Sequence, residues 1–317
     1  MRVRIVTPAP EGSTAGNRIT AERWAGHIAA LGHSVTIDTG VGAEADVLVA
    51  LHARRSHTAI RAWAESRGGA PLVVVLTGTD LYGDILADED ARRSLELATR
   101  LIVLQPEGLA ALPESVRAKT RIVVQSAEAP PRVDAPDESA FEVTVVGHLR
   151  AVKDPFRTAE AARLLPRTSR IRVLHLGAAL DADLAVRARR EEHENPRYRW
   201  LGSRTRDDTL RILARSRLMV SSSRVEGGSN AVVEALACSV PVLASRIPGT
   251  LGQLGAAHPG YFEVGDTAGL ALLLERAESE PVFLEDLRAS GARARERFSP
   301  ERELEAWRAL LAELAGA

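Results

Sequence analysis

Residues 218–244 read LMVSSSRVEGGSNAVVEALACSVPVLA, and the order of elements in this stretch decides the fold. Residues 218–221 form a short apolar strand and 230–237 an apolar helix. Residues 240–244 form a second buried strand. Strand, loop, helix and strand in succession make a βαβ unit, whose strands run parallel through a right-handed crossover. Open parallel sheets bind ligands at the carboxyl ends of their strands, so the loop SSRVEGGSN lies on the ligand side. Gly227 and Gly228 let backbone approach an anion closely. The amides of the first helical turn, near Ser229, Asn230 and Ala231, attract phosphate. Glu226 precedes the helix and Glu234 lies about one turn inside it, so one ligand could touch both carboxylates, which accept hydrogen bonds from sugar hydroxyls. The plainer reading is that Glu226 is a loop acid favoured by the helix dipole and Glu234 a solvated helix residue.

The same grammar extends outward from this unit. Before it come a strand at 142–146, a helix at 155–165, a strand at 171–176 and helices at 183–192 and 206–214. The first half repeats the pattern, with strands at 3–7, 34–38, 47–51, 72–77, 101–104 and 122–124. Helices at 20–31, 56–66 and 89–98 separate them. Between Ala127 and Ala140 the proline- and acid-rich EAPPRVDAPDES has no periodicity and reads as a linker. The fold class is therefore α/β, with two Rossmann-like doubly wound domains at 1–130 and 140–297. A terminal segment, 298–317, carries Leu304, Trp307, Leu310, Leu311 and Leu314 at near-helical spacing and needs a surface to cover.

Bulk properties narrow the function classes. The 317 residues exceed what one core usually serves. Lys plus Arg number 41 against 42 Asp plus Glu, so the net charge of -1 gives no reason to expect nucleic acid or an anionic membrane. Cys238 is the only cysteine, which excludes an intrachain disulfide and suits a reducing compartment, with the cytosol as default. The run Val3, Arg4, Ile5, Val6 is too short for a secretory segment, and no apolar stretch is long enough to span a membrane.

A second turn, Val146-Gly147-His148-Leu149-Arg150-Ala151-Val152-Lys153, follows the first strand of the second half and places cations where they could meet a diphosphate. In the first half, Gly16 and Asn17 follow one strand, His52, Arg54 and Arg55 a second, and Thr77, Thr79 and Asp80 a third. His52, Arg54 and Arg55 make an anion pocket for an acceptor, with Thr77, Thr79 and Asp80 offering hydrogen bonds. The plainer readings are a strand cap for His52, solvated arginines, and a helix cap for Asp80.

On the residues Glu226 to Glu234, followed by Ala-Cys-Ser-Val-Pro-Val-Leu-Ala-Ser, the chain resembles the retaining, family-4-like glycosyltransferases of the two-domain GT-B fold. Their donor site carries Glu-x7-Glu and then a small-residue turn before Pro-Val. The resemblance implies that Glu226 contacts the transferred sugar and Glu234 the ribose. It assigns Gly228, Ser229, Asn230, Gly147, His148 and Gly16 to donor binding in a cleft between the domains, with the C-terminal helix crossing back to the first. The family's turn usually carries Gly-Arg-Leu and then a lysine, whose charges offset that of the departing diphosphate. Lys153 matches, His148 stands where arginine is usual, and Arg150 either supplies the missing charge or is a surface arginine.

The segments TPA, GN, LHARRS and LTGTDLY look like those of a narrower group, the selenosugar synthases of selenoneine biosynthesis. That likeness implies a UDP-sugar donor, UDP-N-acetylglucosamine or UDP-glucose, and selenophosphate as nucleophile. Lys153, Glu226 and Arg150 would then be catalytic and Asn17, His52, Arg54, Arg55, Thr77, Thr79 and Asp80 would hold the acceptor. No cofactor or metal is expected. The rival readings are an ordinary glycosyltransferase with a hydroxyl acceptor and a non-catalytic two-domain sugar binder. A dehydrogenase would need GxGxxG after the first strand, which PAPEGSTAG does not supply. Asp181-Ala182-Asp183 reads as a loop and helix cap rather than a metal motif, and Cys238 as a core residue rather than a nucleophile.

Overall fold

β-Branched and leucine-rich runs such as Val47-Leu-Val-Ala-Leu51 and Leu72-Val-Val-Val-Leu76 are buried along their whole length. Strands of that kind belong to parallel sheets covered on both faces. The computed structural model describes all residues except Val41, Ala43, Val133 and Ala317. Val133 falls in the segment read as a linker, and Ala317 closes the terminal segment. The described residues form two units. One comprises Met1–Ser126, Glu226–Gly228 and Ser299–Ala317, the other Ala127–Val225 and Ser229–Phe298.

The first unit holds six strands: β1 (Arg2–Val6), β2 (Ser34–Asp38), β3 (Val47–Leu51), β4 (Leu72–Leu76), β5 (Arg100–Val103) and β6 (Thr120–Ile122). They form one sheet in the order β2-β1-β3-β4-β5-β6, all pairs parallel. Alternation along β3 divides the core. Leu48 and Ala50 join Ile60 and Trp63 on one face, while Val47, Val49 and Leu51 join Trp24, Ile28 and Trp307 on the other. The helix Gly16–Ala30 begins a turn earlier than the sequence indicates, so Gly16 and Asn17 sit in its first turn rather than in a loop. Strand β6 comes two residues before the expected 122–124.

The helix Pro300–Ala315 belongs to this first unit although it follows the second in sequence. Its Trp307, Leu310, Leu311 and Leu314 are buried, and Trp307 meets Trp24 edge-on at 5.0 Å between ring centroids. Glu303, fully buried on the same helix, accepts from Trp24 Nε1, from Arg23 Nε at 2.9 and 3.2 Å, and from the Ser126 amide at 2.9 Å. Its carboxylate also pairs with His27 Nε2 at 3.2 Å. Burial pushes the Glu303 carboxyl up, but the hydrogen bonds from His27 and Ser126 and the Arg23 charge outweigh it and hold it below the usual glutamate range.

The second unit holds β7 (Phe141–Val146), β8 (Ile171–Leu176), β9 (Tyr198–Gly202), β10 (Leu218–Ser221), β11 (Val242–Ser245) and β12 (Tyr261–Phe262). Their order is β12-β11-β10-β7-β8-β9, again all parallel. Chain order reverses between β7 and β10, which is the topological switch point where doubly wound sheets bind ligands. The loops after these two strands are the two singled out from sequence. Sequence reading did not place β9, β12 or the helices Pro248–Leu254, Thr267–Ser279 and Pro281–Arg295.

Candidate active site

In the second unit the loop after β10 leads into the helix Asn230–Ala237. Ser229 is its N-cap, and its hydroxyl accepts from the Val232 amide at 3.4 Å. Gln253, buried on the helix Pro248–Leu254, grips the same residue from both sides. Its Oε1 accepts from the Ser229 amide at 3.0 Å and its Nε2 donates to the Ser229 carbonyl at 3.1 Å. The Ser229 amide, expected to face a ligand, is thus committed to Gln253. Nothing in the sequence marks this glutamine. Glu234 is buried on the helix, which removes the reading of a solvated residue, and Arg206 Nε lies 3.8 Å from its carboxylate. Cys238 caps the end of this helix and is only half-buried rather than a core residue. Burial pushes its thiol up to about 11, so at neutral pH it is no thiolate nucleophile.

The loop after β7 passes through Gly147 and His148 to the single 3-10 turn Ala151–Lys153, which starts at Arg150. The loop after β10 holds this turn directly. The Arg224 amide donates to the Val152 carbonyl at 2.8 Å, and Ser222 Oγ donates to the carbonyls of Lys153 and Asp154 at 3.2 and 3.0 Å. Asp154 adopts a left-handed conformation with φ 44° and pairs with Arg157 at 3.0 Å and Arg224 at 3.7 Å. The structure therefore brings Lys153 to the start of the loop after β10, as the β7-β10 pairing requires. A Cβ at Gly147 would meet only the Lys153 side chain, at 3.9 Å, so no packing within the protein demands glycine there. His148 Nδ1 accepts from the Ala178 amide at 3.1 Å, which puts the proton of the neutral ring on Nε2. Asp181 caps the helix Ala182–Glu194 by accepting from the Asp183 and Leu184 amides, as read from sequence. Among the described residues no group of three His, Cys, Asp or Glu could hold a metal ion.

In the first unit the loops after β1, β3 and β4 stand side by side because these strands are neighbours. His52 is buried with φ 76°, a conformation that costs a non-glycine residue about 1 kcal/mol or more. Its Nε2 meets Thr79 Oγ1 at 3.0 Å, and its Nδ1 accepts from the Arg55 amide at 3.3 Å. Burial above all, helped by Arg55 and Arg54, pushes the imidazole below the ordinary histidine value against the pull of Asp80 and Asp84. His52 is therefore a neutral part of the scaffold at neutral pH, not a cation of an anion pocket. Arg54 Nε pairs with Asp84 at 3.0 Å, while Arg55 is exposed.

Asp80 has no surface to offer an acceptor. Fully buried, it accepts from the amides of Thr77, Gly78 and Leu81 at 2.8 to 3.0 Å and from the Ala53 amide at 2.9 Å. Nor is it a helix cap: Thr79 holds the N-cap position of the turn Asp80–Asp84, and the Asp80 carboxylate instead ties the loops after β3 and β4 together. Glu226 is buried, and the tripeptide Glu226–Gly228 is part of this first unit. At Gly227 a Cβ would stand 2.5 Å from the Thr77 carbonyl carbon, and at Gly228 one would stand 2.8 Å from Leu104 Cβ. Both glycines are needed for packing within the protein.

The fold is similar to that of HepE from Anabaena solved in complex with UDP-glucose, with a TM-score of 0.81 at 16% identity over 99% of this chain and 100% of that one. It is also similar to sucrose-phosphate synthase from Thermosynechococcus elongatus, with a TM-score of 0.79 at 16% identity over 99% of both chains. A glycosyltransferase from Rickettsia africae gives 0.73 at 12% identity over 99% and 98%. At these identities the likeness speaks for the two-Rossmann-domain GT-B fold alone. No curated protein matches the sequence. Residues 128–297, which contain the Gly147 to Lys153 turn and the Glu226 to Glu234 loop and helix, match the model of the glycosyl transferases group 1. That match spans more than half of the chain, which therefore belongs to the glycosyl transferases group 1 family.

Proposed function

We propose that this glycosyltransferase moves the sugar of a UDP-sugar, UDP-N-acetylglucosamine or UDP-glucose, onto the selenium of selenophosphate. The anomeric C–O bond to UDP breaks with its electron pair leaving on UDP, and a C–Se bond forms. Water then cleaves the Se–P bond, giving phosphate and a 1-selenosugar. The observation that carries the donor half is the turn at the β7-β10 switch point, where Lys153 is tied to the donor loop beside a Gly147 that packing does not require. Lys153, with Arg150, offsets charge on the leaving diphosphate. Glu234, with Asn230 at the helix start, takes the ribose side, and Glu226 the transferred sugar. No resident cofactor or metal enters the scheme.

The selenophosphate half rests on the likeness of TPA, GN, LHARRS and LTGTDLY to selenosugar synthases. It draws support from the helix Gly16–Ala30, which begins with no side-chain cap from its N-cap residue and no acid in its first turn, an end that suits an anion. Under this proposal Asn17, Arg55 and Thr77 hold the anion. One observation favours the rival reading, transfer to a hydroxyl acceptor: His52 is neutral and Arg54 already paired, which leaves the cationic pocket weaker than the sequence indicates.

Anaerobic incubation with UDP-N-acetylglucosamine and freshly generated selenophosphate, followed by mass spectrometry, separates the two. A selenosugar appearing in step with UDP supports the proposal. Bound UDP-sugar with no selenium product, together with transfer to a hydroxyl acceptor, replaces it with the rival. Under the proposed roles Glu226→Ala lowers the rate of sugar transfer by about 100-fold and leaves UDP affinity within about twofold. An equal loss in both, measured by steady-state kinetics and calorimetry, removes the sugar contact.

A further inference from the structure

We infer that His175 is a positioning residue of the donor site, its Nε2–H holding the Gly147 carbonyl so that the turn to Lys153 keeps the shape that receives a diphosphate. The inference rests on the reading of that turn as the diphosphate side.

His175 lies on β8 among Val173, Leu174 and Leu176 and is 1% exposed. A polar ring at such a position costs stability unless both nitrogens are paired, and both are. Nε2 stands 3.1 Å from the Gly147 carbonyl oxygen and Nδ1 2.9 Å from the Tyr198 hydroxyl. A carbonyl only accepts, so the ring proton is on Nε2, and Nδ1 accepts from the Tyr198 O–H. Burial pushes the imidazole down to about 4, which keeps it neutral and in this single arrangement at physiological pH.

Everything around the Gly147 peptide acts to the same end. Gly177, at φ 153°, lies flat against it, and a Cβ there would come within 2.0 Å of the Gly147 oxygen. Trp200 Nε1 donates to the Gly177 carbonyl at 2.9 Å, fixing that neighbour in turn. The Gly147 amide donates to the Leu176 carbonyl at 2.8 Å, and His148 is held by Ala178. An apolar residue at 175 would fill the core equally well. It would not tie the peptide that opens the turn, as the histidine does, and so His175 acts on Lys153 through the backbone rather than by touching a ligand.

The test is calorimetric titration of the full chain with UDP and with uridine, which lacks the diphosphate. His175→Leu is expected to weaken UDP about tenfold, the equivalent of one lost hydrogen bond, while uridine affinity stays within about twofold. His175→Gln, whose amide reaches the Nε2 position, is expected to recover UDP affinity to within about threefold. Where the leucine variant does not fold, Tyr198→Phe carries the test. It removes the O–H that fixes the tautomer and is expected to weaken UDP about threefold with uridine unchanged. UDP affinity unaltered in a folded His175→Leu protein, or UDP and uridine falling together, overturns the inference. Lys153→Ala distinguishes its failure from that of the reading beneath it. If that variant binds UDP like the wild type, the diphosphate reading falls and takes this one with it. If it binds weakly and His175→Leu does not, His175 alone is dismissed.

Discussion

Gly177→Ala is expected to abolish measurable donor binding, lowering UDP affinity by at least about 100-fold, or about 2.7 kcal/mol. The added Cβ would lie 2.0 Å from the Gly147 oxygen and 2.4 Å from its carbonyl carbon, both backbone atoms with no rotamer to escape into. Either the end of β8 or the Gly147 peptide must move by more than an ångström. The φ of 153° adds strain of about 1–3 kcal/mol for an L residue, and overpacking costs about as much again. Chemical denaturation and UDP calorimetry on the same preparation measure both effects. A folded variant with wild-type UDP affinity would show that this peptide's position is irrelevant to the donor.

Glu303→Ala is expected to destabilise the first unit by about 3–5 kcal/mol, the cost of removing one member of a buried ion pair. The substitution leaves Trp24 Nε1, the Ser126 amide and the nearly buried Arg23 guanidinium without the carboxylate that serves them all. A loss of that size is a large fraction of the about 5–15 kcal/mol that holds a domain folded. Glu303→Gln keeps the shape and part of the hydrogen bonding, so it should lose less. Urea denaturation read at Trp24 and Trp307 checks this, and a midpoint unchanged in Glu303→Ala would dismiss the residue as an anchor. The same group makes the unit acid-sensitive. Its folded pKa lies below the ordinary value of 4.5, so its contribution is complete above that pH and is lost as pH falls through the folded value. Glu303→Gln should flatten that part of the pH-stability curve.

Neither anchor carries a signal in the sequence. Glu303 stands on a polar-rich helix start among other glutamates, and its partners Arg23, Trp24, His27 and Ser126 lie far from it along the chain. Gly177 looks like any glycine closing a strand. Gln253, Ser222 and Arg224 are equally silent, because their work is done through backbone groups of residues distant in sequence. The titratable residues of the first unit show the opposite error. His52, Arg54 and Asp80 look like ligand-binding groups because their residue types are, yet folding commits His52 to Thr79, Arg54 to Asp84 and Asp80 to four amides.

Periodicity and element order along the chain were enough for the two parallel sheets and for the two loops at the β7-β10 switch point. Hydrophobic period and chain connectivity are local properties that a parallel sheet can satisfy in very few ways. The same held for Trp307 and the leucines of the last helix, whose spacing announced a buried face without naming what it covers. Folding alone decided that Glu234 is buried and which polar side chains are spent on the scaffold. Those outcomes depend on desolvation and on hydrogen-bond partners contributed by distant parts of the chain, and a buried polar group must take whichever partner the packing brings within 3 Å or so.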